Sequence, residues 1–95
     1  SLEAMRQERI QAAAQATEPL SDRERLLLVE GVGERTVAAL EESNYKPLRE
    51  ILGEDEDRLA VRSGLGIKRV RALRSALRSF VENEQSILDA ARKQG

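Results

Sequence analysis

The sequence contains no cysteine, no histidine and no tryptophan, and its 95 residues include one tyrosine, one phenylalanine and two prolines. Without cysteine there is no disulfide framework and no thiolate metal site, a composition that suits a cytoplasmic protein. Without histidine, the commonest general base and the commonest metal ligand are both missing. The aromatics are too few to stack successive bases, which argues against sequence-specific reading of single-stranded RNA, and Tyr45 reads as a core or rim residue. No apolar run reaches the roughly 18 residues of a membrane span, so no membrane partner is expected.

What remains is an alphabet of Leu, Ala, Val and Arg, which favours helix over strand. No stretch alternates apolar and polar residues as a half-buried strand does. The expectation is one small all-α domain with a modest core. The net charge of −1 conceals a split. Residues 18–57 hold twelve acidic and five basic side chains, a net of 5 − 12 = −7, whereas residues 62–78 hold six basic and no acidic ones. The second half can face an anion and the first cannot. A chain that opens on Ser1, with Met5 inside, reads as a segment of a longer protein.

The strongest internal signal is a repeat. "VEGVGERTVAAL" (29–40) returns as "VRSGLGIKRVRAL" (61–73) at an offset of 33 positions, 64 − 31. At that offset Asp22, Arg25, Leu26, Gly31, Gly33, Val37, Ala39 and Leu40 meet identical residues, eight of the nineteen aligned. Chance does not explain that density, so the unit is duplicated.

Local patterns place helices around both copies. Residues 2–17 read as a helix with a thin apolar stripe of Leu2, Met5, Ile10 and Ala13, stopped by Pro19. Ser21 with Glu24 is a capping-box pattern that opens a helix to about Val29. Gly31 and Gly33 break it, and a helix from Glu34 to about Asn44 follows. Pro47 can take a first helical position and Gly53 a left-handed stop. Glu54 to Asp57 suit the positive end of the next helix, which runs to about Arg62. After Gly64 and Gly66 the last helix starts near Ile67. Val70, Leu73, Ala76, Leu77, Phe80 and Val81 fall on one face of it, and Lys68, Arg71, Arg74 and Arg78 on the opposite side. Ile87, Leu88 and Ala91 continue the apolar face if this helix runs on; alternatively Ser86 caps a separate short helix.

Each unit is therefore helix, Gly-x-Gly turn, helix. Glycine permits positive φ and leaves no side chain in the way of a close approach. The amides at such a turn, backed by the positive end of a helix, can hold a phosphate oxygen, while Val32 or Leu65 pins the turn to the core. The same glycines would also serve a compact turn with no ligand. At the second turn Lys68 and Arg69 sit where the helix amides point, and Arg71, Arg74 and Arg78 extend the positive strip. There a phosphate would meet donors and charge together. The strip would equally serve as a solvated helix face, or answer an acidic surface.

"GVGERTVAAL" (31–40) and "GLGIKRVRAL" (64–73) resemble the hairpins of the helix–hairpin–helix family, whose motif is apolar-x-Gly-apolar-Gly and then a helix. The likeness covers about residues 21–82 and implies the tandem, SAM-like form of that fold. Within it, "GVGERTVAALEESNYKPLREI" (31–51) is similar to the carboxy-terminal domain of the bacterial transcription factor NusA. Two features depart from the family: Glu30 and Ser63 stand where proline is usual, and Glu34 follows the first turn where DNA-binding copies carry neutral or basic residues.

The resulting expectation is a connecting helix and linker (1–20), a tandem hairpin domain of five to six helices (21–82) and a helical extension (83–95). Its core would be Leu26, Leu28, Val32, Val37, Leu40, Leu48, Leu52, Leu59, Leu65, Val70, Leu73, Leu77 and Phe80. Nothing in the sequence calls for catalysis, a cofactor, a metal or a small-molecule substrate; the run Glu54 to Asp57 lacks the spacing of a calcium loop. The resemblance implies an interaction module of a transcription elongation, termination or antitermination factor. It would dock to RNA polymerase, a partner factor or its own chain, with DNA or RNA phosphates as a possible contact. The alternative it implies is a non-specific DNA-binding module of a repair or recombination protein. The binding residues would be Gly64, Leu65, Gly66, Lys68, Arg69, Arg71, Arg74 and Arg78, with Gly31, Val32, Gly33, Arg35 and Thr36 from the first turn. DNA binding requires both hairpins; docking requires one face.

Overall fold

A computed structural model describes all residues 1–95. It contains six helices and no strand: α1 (Leu2–Ala14), α2 (Asp22–Leu26), α3 (Glu34–Glu42), α4 (Leu48–Gly53), α5 (Glu56–Ser63) and α6 (Ile67–Gln94). None is long and apolar enough to cross a membrane.

The capping box at Ser21 forms in both directions. Its hydroxyl accepts from the Glu24 amide at 3.1 Å, and the Glu24 carboxylate accepts from the Ser21 amide at 2.9 Å. α2 stops at Leu26 rather than Val29 because the next residues tighten. The Leu28 and Val29 amides bond three residues back, to Arg25 and Leu26. Leu26, Leu27, Leu28 and Val29 are all buried, as four consecutive side chains are only where neighbours enclose the segment on more than one side, and Arg6 of α1 reaches the Leu28 carbonyl there. α3 also ends early, at Glu42. Asn44 takes φ 65°, and the Asn44 and Tyr45 amides return to the Glu41 and Leu40 carbonyls, a Schellman stop with asparagine in the glycine position. The stop delivers Tyr45 into the core, where it is buried.

Pro47 serves as the N-cap of α4, one residue earlier than its expected place. The expected left-handed stop at Gly53 does not occur, since Gly53 is the last residue of α4 and Glu54 leaves it in extended conformation. Arg74 supplies the termination instead: its guanidinium donates to the Leu52 and Glu54 carbonyls, each at 2.9 Å. Asp55, rather than Glu54, begins the next helix, accepting from the Arg58 amide at 3.0 Å.

α6 runs unbroken for 28 residues, so Ser86 starts no helix of its own. Eleven of the thirteen expected core residues are buried; Leu52 and Leu65 are half-buried and pack against the rest. The core also takes in Ile10 and Ala14 from α1, and Leu88 and Ala91 from the far half of α6. α1 therefore packs on the domain. Arg92 ties the two ends by donating to the Ala14 carbonyl at 2.9 Å. Arg25 of α2 forks onto Glu84 of α6 at 2.9 and 2.6 Å, a bidentate geometry among the stronger protein ion pairs.

Three ionisable groups record these contacts. Hydrogen bonds from Ser21 hold the Glu24 carboxyl below its ordinary value, and the Tyr45 hydroxyl, donating at 2.8 Å, does the same for Glu54. Burial, then the Glu54 carboxylate, pushes the Tyr45 phenol up. Stability from the two glutamates is present above the ordinary glutamate pKa of 4.5 and drains as pH falls through their lower folded values. Stability from Tyr45 is present below its ordinary value of 10.0 and is lost as pH rises through the folded one. Carboxyl NMR titration should show Glu24 and Glu54 each protonating below the ordinary glutamate value of 4.5.

Candidate functional site

The two Gly-x-Gly turns fold along similar paths with different second glycines. In the first hairpin, between α2 and α3, Gly31 takes φ 79°, Val32 is buried and Gly33 begins α3 in ordinary extended backbone. In the second, between α5 and α6, Gly64 takes φ 73° and Gly66 takes φ 84°, ψ 162°. Ser63 fits the place of the usual proline because it is satisfied there. Its hydroxyl donates to the Leu59 carbonyl at 2.7 Å and accepts from the Leu65 amide at 3.2 Å. Neither α3 nor α6 has a side-chain cap, so the amides of Glu34, Arg35 and Thr36, and of Ile67, Lys68 and Arg69, lack partners inside the protein.

What lies against the hairpins differs more. α1 covers the first. Leu2 seats on Gly33, close enough that a Cβ there would come within 2.7 Å of its Cδ1. Arg6 donates to the Leu28 carbonyl at 2.8 Å, and the Glu34 carboxylate is held by Arg9 at 3.4 Å and by Arg23. The acidic residue that departs from the family pattern thus anchors the covering helix. The first glycines, Gly31 and Gly64, are equally open, but at the second glycine the hairpins part: Gly66 has nothing within 4 Å of a notional Cβ, and Val61 nearby is 81% exposed.

Between the hairpins opens a cleft of about 540 Å³. Of the expected site residues it gathers Gly31, Val32, Gly33, Arg35, Thr36, Leu65 and Arg69, with Leu2 and Met5 of α1 at its mouth. Glu30 and Glu34 balance Arg35 and Arg69, so the cleft itself is not cationic. Gly64, Gly66, Lys68, Arg71 and Arg78 lie outside it. Lys68, Arg69 and Arg78 are exposed without an ion-pair partner, whereas Arg71 pairs with Glu56 at 2.9 Å. Arg74 leaves the positive strip altogether, since its half-buried head is committed to the end of α4. Helical spacing placed Arg74 beside Lys68 and Arg78, but on the edge of the stripe nearest the core. Leu2 and Met5 escaped the site expectation because the stripe of α1 is thin.

Two substitution pairs separate these roles. Arg74→Ala should destabilise the fold by about 1–3 kcal/mol, as two charge-assisted bonds to carbonyls disappear, while Lys68→Ala should stay within about 0.5 kcal/mol in urea denaturation. Gly66→Ala should cost about 1–3 kcal/mol, because its backbone lies where L-residues are strained. Gly33→Ala needs only the flexible tip of Leu2 to swing aside and should cost under about 1 kcal/mol, loosening the first turn of α1.

The model of the SAM-like helix-hairpin-helix tandem family matches residues 23–79, a span that takes in both hairpins, α3 to α5 entire and all of α2 but its first residue. No curated protein and no solved structure matches the chain. The match covers more than half of the residues, and the duplicated glycine turns it predicts are present with their helices in order. The chain belongs to the SAM-like helix-hairpin-helix tandem family.

Proposed function

We propose that this domain is a non-catalytic interaction module of a transcription elongation, termination or antitermination factor. It docks to RNA polymerase, to a partner factor or to another domain of its own chain through the second hairpin. The observation that carries this reading is the unequal cover of the two turns. A two-handed grip on duplex phosphates needs both sets of hairpin amides, and the first set opens beside the Glu34 carboxylate, with Leu2 seated on the preceding Gly33. One open face, with free amides at the start of α6 and the unpaired cations Lys68, Arg69 and Arg78, suits one-sided docking. The likeness of residues 31–51 to the NusA carboxy-terminal domain supports the transcriptional setting.

The second reading is contact with DNA or RNA backbone through the same hairpin, favoured by the uncapped N-terminus of α6 beside Lys68 and Arg69. Repair or recombination DNA binding through both hairpins is the least compatible with the geometry.

The test is a titration of the ¹⁵N-labelled chain with RNA polymerase and its separate subunits, and in parallel with a short DNA duplex and a single-stranded RNA. Docking predicts perturbation of the amides at 64–69 by a polymerase component and none at Gly31 and Gly33. Nucleic-acid contact predicts shifts that weaken roughly 10-fold or more between about 50 and about 200 mM salt. Duplex shifts at both hairpins would sink the one-sided reading.

A further inference from the structure

The duplicated unit contains its own precedent for what a hairpin can hold. On the first hairpin, α1 makes three contacts: Leu2 on Gly33, Arg6 to the Leu28 carbonyl, and Arg9 to Glu34. At the repeat offset the corresponding positions on the second hairpin are Gly66, Val61 and Ile67. Gly66 and Val61 lack a covering element, while Ile67, half-buried against the core, offers no carboxylate in the place of Glu34. Leu28 is 1% exposed and Val61 is 81% exposed; Gly33 meets Leu2, and Gly66 meets nothing. Val61 is the most exposed large apolar side chain in the protein and lies inside α5, whereas its repeat counterpart Leu28 is buried just past the end of α2.

The charge of the two faces differs in sign. Where the first hairpin offers Glu34, Arg35 and Thr36, the second offers Ile67, Lys68 and Arg69. A helix lying on the first hairpin is held by arginines; one lying on the second would meet Lys68 and Arg69, both exposed and unpaired. We propose that the second hairpin is a docking surface for an acidic amphipathic helix of a partner protein. That helix seats an apolar residue on Gly66, covers Val61, and carries carboxylates that reach past Ile67 to Lys68 and Arg69. The occupant is not α1 of a second copy, because its Arg9 would find Ile67 in the place of Glu34, with no carboxylate to hold it and the cations Lys68 and Arg69 next along. The inference rests on the one-sided docking reading and specifies the partner's chemistry.

The probe is a synthetic peptide of residues 2–14 with Arg6→Glu and Arg9→Glu, held helical by a lactam bridge on its outer face, added to the ¹⁵N-labelled full chain. The expected result is saturable shifts at Val61, Gly64 and Gly66 to Arg69, with Gly31 to Thr36 unmoved. Val61→Glu, at an exposed site that leaves the circular dichroism unchanged, should weaken binding about 10-fold or more, and so should Lys68→Glu/Arg69→Glu. The unmodified residues 2–14 peptide should bind at least about 10-fold more weakly than the acidic one. Absence of shifts at the second hairpin overturns the proposal. So does equal binding of the two peptides, or binding indifferent to Val61→Glu. A DNA duplex that shifts these amides equally in Val61→Glu, with the acidic peptide silent, would make the hairpin a phosphate site instead. If the peptide binds and no polymerase component touches the second hairpin, the transcriptional reading fails and this one stands. If a polymerase component docks there and the peptide does not, this one alone fails.

Discussion

The apolar stripe that α6 turns inward, Val70, Leu73, Leu77, Phe80, Leu88 and Ala91, is the surface on which the other helices depend. α2 to α5 are five, nine, six and eight residues long. Helices below about 12–15 residues are marginal in water, so these hold their shape through packing rather than propensity. The polar edges of α6 assist in the same way. α1 and α4 have no basic residue in their last turns, and α6 supplies one to each end: Arg92 at the Ala14 carbonyl, Arg74 at those of Leu52 and Glu54. Each places a positive charge at the negative end of a helix dipole. Glu84 completes the pattern by receiving Arg25 from α2.

Duplication produced two equal turns, and divergence of a few positions made them unequal. Arg25 and Arg58 descend from one position, yet the first forks onto Glu84 and the second has no partner. Glu34 and Ile67 likewise correspond, and the exchange replaces an exposed anchor for basic side chains with an apolar residue that packs against the core. Family membership alone leaves both hairpins equivalent. Their neighbours decide which of them faces outward.

Much of this was legible in the residues. The repeat, the all-helical class, the capping box and most of the core follow from glycine spacing, short-range polar signals and 3.6-residue periodicity, all of which are local. Apart from the early ends of α2 and α3, which are set by local turns, the failures are non-local. Gly53 read as a stop because glycine after a helical stretch often is one, but a side chain 21 positions later, Arg74, terminates that helix. Arg74 read as part of an outward strip because 100° spacing ranks directions without locating neighbours. The packing of α1 was open because its apolar stripe is thin, and its attachment relies on Arg6, Arg9 and Arg92, whose partners lie 22 to 78 residues away. Long-range arginine bonds leave no periodic trace.

The unbroken course of α6 has a mechanical consequence. At 1.5 Å per residue its 28 residues span about 42 Å, close to the 40 Å long axis of the whole domain. The second hairpin sits at one end of that rod, and the pairing of α1 with α6 at the other. The hairpin is therefore kept at a set separation from the opposite pole, with the intervening helices bracing the rod along its length, so the domain has the build of a ruler.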